Sequence, residues 1–157
     1  MATTYVSTKA ATGVQPRLHN HDDTVYCEFD IAAAVATAAN GGGGAGGTAF
    51  VINDVVQMVK VQSGTVIVDA LLSVDALESN AAIVVAVGDG DDDDRFITAS
   101  TIGRSSAAGV ARLNNHAGHL YAYTADDTID FKVTTAGTAG QATTGKIRLS
   151  IRLTPQQ

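Results

Sequence analysis

The densest chemistry in this sequence is an acidic run, GDGDDDDR, which places five aspartates within six positions of the segment 88–95. Carboxylate oxygens are the ligands that Ca²⁺ prefers, and many calcium loops begin with the alternating spacing of Asp89, Asp91 and Asp93. The twelfth position of such a loop is Ser100, where an EF-hand needs Glu. The run therefore indicates only a weak calcium site, and we favour a solvated turn between two strands whose functional alternative is contact with a basic partner surface.

Histidines occur in two pairs, which raises the question of a zinc site. His19 precedes His21 by two positions and His116 precedes His119 by three, so four ring nitrogens would be available if the pairs met in space. Neither pair has the His-Glu-x-x-His pattern of a helical zinc site. His19 and His21 are weak metal candidates, and solvated loop histidines are the favoured interpretation.

Two further features, a match to the phosphate-loop pattern and a single cysteine, lack the surrounding structure that their chemistry requires. Residues 140–147, GQATTGKI, match G-x-x-x-x-G-K, yet Ile147 stands where a phosphate loop needs Ser or Thr. Lys146 also opens an alternating strand pattern, whereas a phosphate loop opens a helix. The single cysteine, Cys27, falls on the apolar face of a predicted strand, where a thiol is inert. We predict no catalytic residue, no cofactor and no enzymatic activity.

Composition and charge exclude several classes of protein. Hydrophobic residues make up 45% of the chain and charged residues 17%, which is typical of a folded domain. The 10 Lys and Arg against 16 Asp and Glu give a net charge of −6, which is the wrong sign for a phosphate-binding surface. The longest apolar run, residues 81–87, is far shorter than the ~18–20 residues of a membrane-spanning helix. We therefore predict that the chain binds neither nucleic acid nor membrane.

The elements that must position these residues are almost all β-strands. Residues 1–23 predict an extended N-terminal arm, and residues 24–157 predict a single domain with a Gly-rich loop at 40–47. Alternation of apolar and polar residues begins at Thr24 and indicates a half-buried strand. Its apolar face consists of Val25, Cys27, Phe29 and Ile31. In the segment 65–74, a long central strand, one predicted face consists of Val66, Val68, Ala70, Leu72 and Val74.

The last strand, KIRLSIRL at 146–153, has the clearest pattern. Its inward face consists of Ile147, Leu149, Ile151 and Leu153, and its outward face of Lys146, Arg148, Ser150 and Arg152. A slip of one residue would bury three cations, so the register is strongly fixed. Residues 99–118 are predicted to be mostly loop. The fold class is all-β, a β-sandwich or jelly roll of about eight to nine antiparallel strands with the extended arm.

The segments GDGDDDDRF at 88–96, YTADDTI at 123–129 and KIRLSIRL at 146–153 follow one another in an order that resembles the capsid-associated structural proteins of tailed bacteriophages. In that group a strand closes on Gly-Asp-Gly, an acidic turn and Asp-Arg-Phe/Tyr, and a Tyr-Thr-Ala-Asp-Asp-Thr-Ile segment and a final alternating strand follow. Here these are residues 88–96, 123–129 and 146–153, and the resemblance covers roughly residues 49–153. The arm and the Gly-rich loop have no counterpart in it.

Similar proteins act as cement or decoration proteins on the head, with sandwich or jelly-roll folds and homo-oligomeric assembly. The resemblance implies a virion protein at the capsid surface whose partners are the major capsid protein lattice and further copies of itself, as a dimer or a trimer. The alternative is an adhesive or receptor-binding β module of a head fibre or tail, against which the absence of Trp counts. The candidate interaction residues are Arg17, Asp91, Asp92, Asp93, Asp94, Arg148 and Arg152.

Overall fold

The computed structural model describes residues 4–7, 22–33, 50–138 and 141–155. These residues form ten β-strands, a 3₁₀ turn, η1, and a helical segment at 31–33. The elements are β1 (Thr4–Val6), β2 (Asp23–Asp30), β3 (Val55–Val61), β4 (Thr65–Val74), β5 (Val84–Gly88), β6 (Ile97–Ser100), β7 (Gly109–Arg112), η1 (His116–Gly118), β8 (Tyr121–Ala122), β9 (Asp127–Thr135) and β10 (Lys146–Pro155).

The strands form two sheets that pack face to face. Sheet A has the order β1-β3-β9-β5-β6, and sheet B has the order β2-β10-β4-β7 with β8 paired to β4. All pairs are antiparallel except β1 with β3, which is parallel. The prediction of an all-β sandwich is confirmed. Helices in the described part of the chain are all too short or too polar to span a membrane.

The core lies between the sheets, and β10 supplies its most regular row of side chains. The four inward residues of β10 are all 0% exposed, as the alternating pattern predicts. Cys27, Phe29 and Ile31 of the predicted β2 face are buried as well, and Val25 packs against the core while partly exposed. Strong period-2 alternation was thus sufficient to fix which side of these two strands faces the core.

The predicted face of β4 is wrong in its first half. Ala70, Leu72 and Val74 are buried as expected, but Ile67 is buried in place of its neighbours Val66 and Val68. The register with β10 shifts here, because Arg152 pairs with Asp69 whereas Leu153 pairs with Ile67. This β-bulge moves the earlier residues of the strand by one position, so their inward and outward sides are exchanged.

Residues 4–7 of the predicted N-terminal arm belong to the sandwich. β1 pairs with β3, and the side chain of Tyr5 is buried. Its ring centroid lies 5.8 Å from that of Phe29 and 6.0 Å from that of Phe50. The Ser7 hydroxyl donates a hydrogen bond to the carbonyl of Met58 over 2.6 Å. The arm therefore contributes an aromatic side chain to the core.

The segment predicted as mostly loop, residues 99–118, contains the end of β6, all of β7 and η1. β7 pairs with the end of β4 and extends sheet B by one strand. Gly103 adopts φ +83°, and a Cβ there would lie 2.6 Å from the Leu77 side chain. Gly103 thus allows a tight turn over Leu77 that a residue with a side chain would not.

Candidate functional site

The acidic run connects β5 to β6 and folds back over the outer face of sheet A. Val87 points into the core, so the next residue, Gly88, points outwards. A Cβ atom on Gly88 would lie 2.0 Å from the carbonyl oxygen of Asp92. Only glycine allows the backbone of the turn to approach the strand this closely. We call residues 89–95 the acidic turn.

Asp89 anchors the acidic turn from inside. The residue is 2% exposed, and its Oδ1 accepts hydrogen bonds from the backbone N–H groups of Asp91 (3.2 Å) and Asp92 (2.9 Å). Its Oδ2 accepts from Arg95 Nε over 2.5 Å and from the Tyr123 hydroxyl over 3.1 Å. The carboxylate that the sequence offers as a first calcium ligand is therefore committed to an ion pair and to the shape of its own turn.

Arg95 ties this turn of sheet A to β8 of sheet B. Its guanidinium carbon lies 3.9 Å from the centroid of the Tyr121 ring, a cation–π contact. Tyr121 and Tyr123 meet edge to face, with centroids 5.0 Å apart. Burial, followed by the charge of Asp89, raises the pKa of the Tyr123 hydroxyl far above its usual range, so this group is a permanent hydrogen-bond donor.

The remaining aspartates of the turn face outwards and are only partly neutralised. Asp91 and Asp93 are exposed, and Asp93 forms an ion pair with Lys132 of β9. Asp92 and Asp94 are partly exposed. Five aspartates in the run minus the two cations that pair with it among the described residues, Arg95 and Lys132, leave three negative charges without a cation in that part of the chain. The acidic turn is therefore an ordered surface with an excess of negative charge.

A second turn, residues 114–120, supports the acidic turn. Asn115 Nδ2 donates a hydrogen bond to the Asp94 carbonyl over 2.9 Å, and the Thr98 hydroxyl donates to the Asp94 carboxylate. His116 and His119 lie in and just after η1 and are both exposed, as expected of loop histidines. Side chains from the second turn and from β6 thus hold the acidic turn in one conformation.

Asp130 lies on the outer face of sheet A beside the acidic turn, where β9 pairs with Gly88 of β5. Its Oδ1 is buried and has no hydrogen-bond partner among the described residues. Burial, with the charges of Asp127, Asp89 and Asp93, raises the pKa of Asp130 to about 7. The cluster of carboxylates at this end of the sandwich therefore includes one that is partly protonated near neutral pH.

The basic outward face of β10 is mostly neutralised by neighbouring strands. Lys146 forms an ion pair with Glu28 of β2, and Arg148 Nη1 lies 2.8 Å from Asp75 Oδ1 and its Nε 3.3 Å from Glu28 Oε2. A hydrogen bond from Lys146 lowers the pKa of Glu28, and one from Arg148 lowers the pKa of Asp75. Arg152 is exposed and has no ion pair within the described segments.

The other predicted site residues are not brought into a common site. Arg17, His19 and His21 lie outside the described residues. Among those described, no group of three or more His, Cys, Asp or Glu side chains is arranged to hold a metal ion. Cys27 is buried and its thiol donates to the Met58 carbonyl over 3.0 Å, and Lys146 begins a strand instead of a helix.

Sequence reasoning missed the residues that complete both charged surfaces. Tyr121, Tyr123 and Lys132 hold the acidic turn, and Glu28 and Asp75 neutralise β10. The position of Glu28 on the polar face of β2 is evident from the alternating pattern. Its pairing with β10 is not, because the two strands are more than a hundred residues apart in sequence.

No family model matches the chain, and no curated protein sequence matches it. Solved structures, in contrast, do match the chain. A chain in the capsid of Ralstonia phage GP4 is 21% identical with a TM-score of 0.70, and the match covers 98% of this chain and 99% of that one.

Two further matches are of the same kind. A chain from the capsid asymmetric unit of cyanophage Pam1 is 18% identical with a TM-score of 0.61, covering 90% of this chain and 94% of that one. A chain from the acidic stable capsid structure of Helicobacter pylori bacteriophage KHP30 is 15% identical with a TM-score of 0.55, covering 88% and 92%. The chain therefore has the fold of proteins found in phage capsids, and the resemblance drawn from its sequence is confirmed at the level of the fold.

Proposed function

We propose that this chain is a non-enzymatic structural protein of the virion that binds the capsid lattice of a tailed bacteriophage and stabilises the head as a cement or decoration protein. The observation that carries the proposal is the match to a phage capsid chain over 98% of this chain and 99% of that one. Because the likeness extends over nearly the whole of both chains, it concerns the entire sandwich and not a single shared hairpin.

The acidic turn supports a binding role because it is ordered before any partner arrives. Buried Asp89 and the contacts of Arg95 with Tyr121 fix its backbone, so little conformational entropy is lost on association. Its uncompensated charge complements a basic partner surface and would orient the encounter. Asp91, Asp92, Asp93 and Asp94 are therefore proposed as contact residues.

Assembly into a homo-oligomer would strengthen a weak contact of this kind. When one oligomer engages several lattice sites at once, the second and later contacts are intramolecular and the overall affinity rises by about 10²–10⁴-fold. We propose that the chain acts at the outer capsid surface as such an oligomer.

Imaging of purified virions at a resolution that shows this chain tests the proposal. A cement protein occupies every equivalent interface of the lattice, and capsids stripped of it should release their genome at a lower temperature. Density for the chain at only a few positions, such as a vertex, fibre or tail tip, would instead identify an adhesive module, and absence from the particle would refute a virion role.

A further inference from the structure

The outer face of sheet B carries a surface that no other described element covers, and its side chains lie in register across the strands. Ser150 in the middle of β10 pairs with Tyr26 of β2 on one side and with Leu71 of β4 on the other, and Leu71 pairs in turn with Arg112 of β7. Residues directly opposite each other in paired strands present their side chains on the same face. The small Ser150 therefore lies between an aromatic and an aliphatic side chain on this face.

Two large apolar side chains at this surface are more than half exposed. Tyr26 is 52% exposed and Val110, which pairs with Ser73 in the next row of the sheet, is 65% exposed. Leu71 is partly exposed between them. An apolar patch surrounded by charged residues is characteristic of a surface that binds another protein.

Two arginines at this surface are exposed, one without an ion pair among the described residues and one only loosely paired. Arg152 is exposed and forms no ion pair with any described residue. Arg112 is 70% exposed, and its contact with Asp69 is long at 3.6 Å. Arg148, in contrast, is held by both Glu28 and Asp75. We call the surface around Tyr26, Leu71, Val110, Arg112 and Arg152 the sheet B patch.

The acidic turn of the same chain is complementary to this patch and lies on the opposite face of the sandwich. The turn folds over Gly88 and pairs with Lys132, both on the outer side of sheet A. We propose that the acidic turn of one copy docks on the sheet B patch of a second copy. The inference rests on the proposed function and deepens it, because it names the surfaces through which copies of the protein meet.

Opposite placement of the two surfaces determines the symmetry of this contact. A two-fold pair buries the same patch on both partners, whereas here each copy offers its acidic turn to one neighbour and its sheet B patch to another. The contact is therefore head to tail. The apolar centre of the patch supplies burial, and Arg152 and Arg112 orient the carboxylates of Asp91 and its neighbours, so the association weakens as salt rises.

Charge reversal in the purified full chain tests the contact, with the dissociation constant measured by sedimentation over a concentration series at low and high salt. Arg152→Glu and Asp91→Arg should each weaken association about tenfold or more, and the two together in one chain should restore it to within about threefold of the unchanged protein. Both residues are exposed, so the fold should persist.

Several results would overturn the inference. The first is self-association that neither charge reversal weakens, and the second is a double variant that associates as weakly as the single variants. The third is a protein that is monomeric at about 100 µM. Loss of capsid occupancy by Arg152→Glu with no change in its oligomeric state would show that the sheet B patch binds the shell protein instead. If the protein is monomeric but still covers capsids, the inference fails and the proposed function holds. If head-to-tail oligomers form but never bind capsids, only the proposed function is refuted.

Discussion

The two charged surfaces of this molecule are built by different means. On β10, cations alternate along the strand, and carboxylates from β2 and from Asp75 reach across to Lys146 and Arg148, so the charge is neutralised within the sheet. In the acidic turn, like charges are crowded together, and a buried ion pair holds the backbone while other carboxylates point outwards. The comparison teaches that charge count alone does not identify a contact surface, because what matters is how much of the charge the fold leaves uncompensated.

The largest effect should come from removing the carboxylate that anchors the acidic turn. Asp89→Ala leaves Arg95 and the Tyr123 hydroxyl without their acceptor in a buried environment. We expect the free energy of unfolding to fall by about 2–4 kcal/mol, as measured by denaturant titration.

Asp91→Asn is the matched control for this variant. Asp91 is exposed, and its backbone N–H, not its side chain, bonds to Asp89, so its replacement should change the free energy of unfolding by less than about 0.5 kcal/mol. Equal effects of the two substitutions would show that the turn has no internal anchor.

A smaller effect, with a defined pH dependence, should come from Asp130. Its pKa in the folded protein is about 7, well above its usual value, so folding favours the protonated form. The stabilising contribution of that form is complete below about pH 4 and is lost as pH rises through about 7. Asp130→Asn should therefore match the unchanged protein at pH 4 and exceed its stability by about 1–2 kcal/mol at pH 8, in thermal or denaturant unfolding at both pH values. A difference that stays constant between these pH values would contradict the assignment.

The smallest effect should come from the ladder of ion pairs on the outer face of sheet B, which joins Lys146 and Arg148 to Glu28 and Asp75. Glu28→Gln removes the partner of Lys146 and one of the two partners of Arg148, but all of these groups are solvated and Arg148 keeps Asp75. We expect the melting temperature to fall by no more than about 2 °C at low salt and the difference to vanish at about 1 M salt. A large drop that persists in high salt would show that the ladder, like the acidic turn, depends on a desolvated ion pair.

Much of the fold was evident in the sequence wherever one face of a strand is apolar and the other polar. The pattern of β10 and β2 fixed which side chains are buried, and the sandwich followed from many such strands. The bulge in β4 could not be read in this way, because it depends on the pairing of Asp69 and Ile67 with β10. Tyr5 was missed because β1 is only three residues long, too short for a periodic pattern.

The candidate site was predictable in composition but not in structure. The aspartates of the acidic turn are alike in sequence, and only the fold separates buried Asp89 from exposed Asp91 and Asp93. That separation arises from Arg95 and Tyr123, and the tyrosine comes from a distant part of the chain. Long-range pairing of this kind leaves no local signal in a single sequence.

The most direct test of the central claim, that the acidic turn is a contact surface of a capsid-bound protein, is the occupancy of stripped capsids by added protein. Asp91→Asn combined with Asp93→Asn removes two exposed carboxylates while retaining the Asp89 anchor. We predict that the protein concentration needed for half occupancy rises at least about tenfold. Equal occupancy by the double variant and the unchanged protein, with both folded, would contradict the claim.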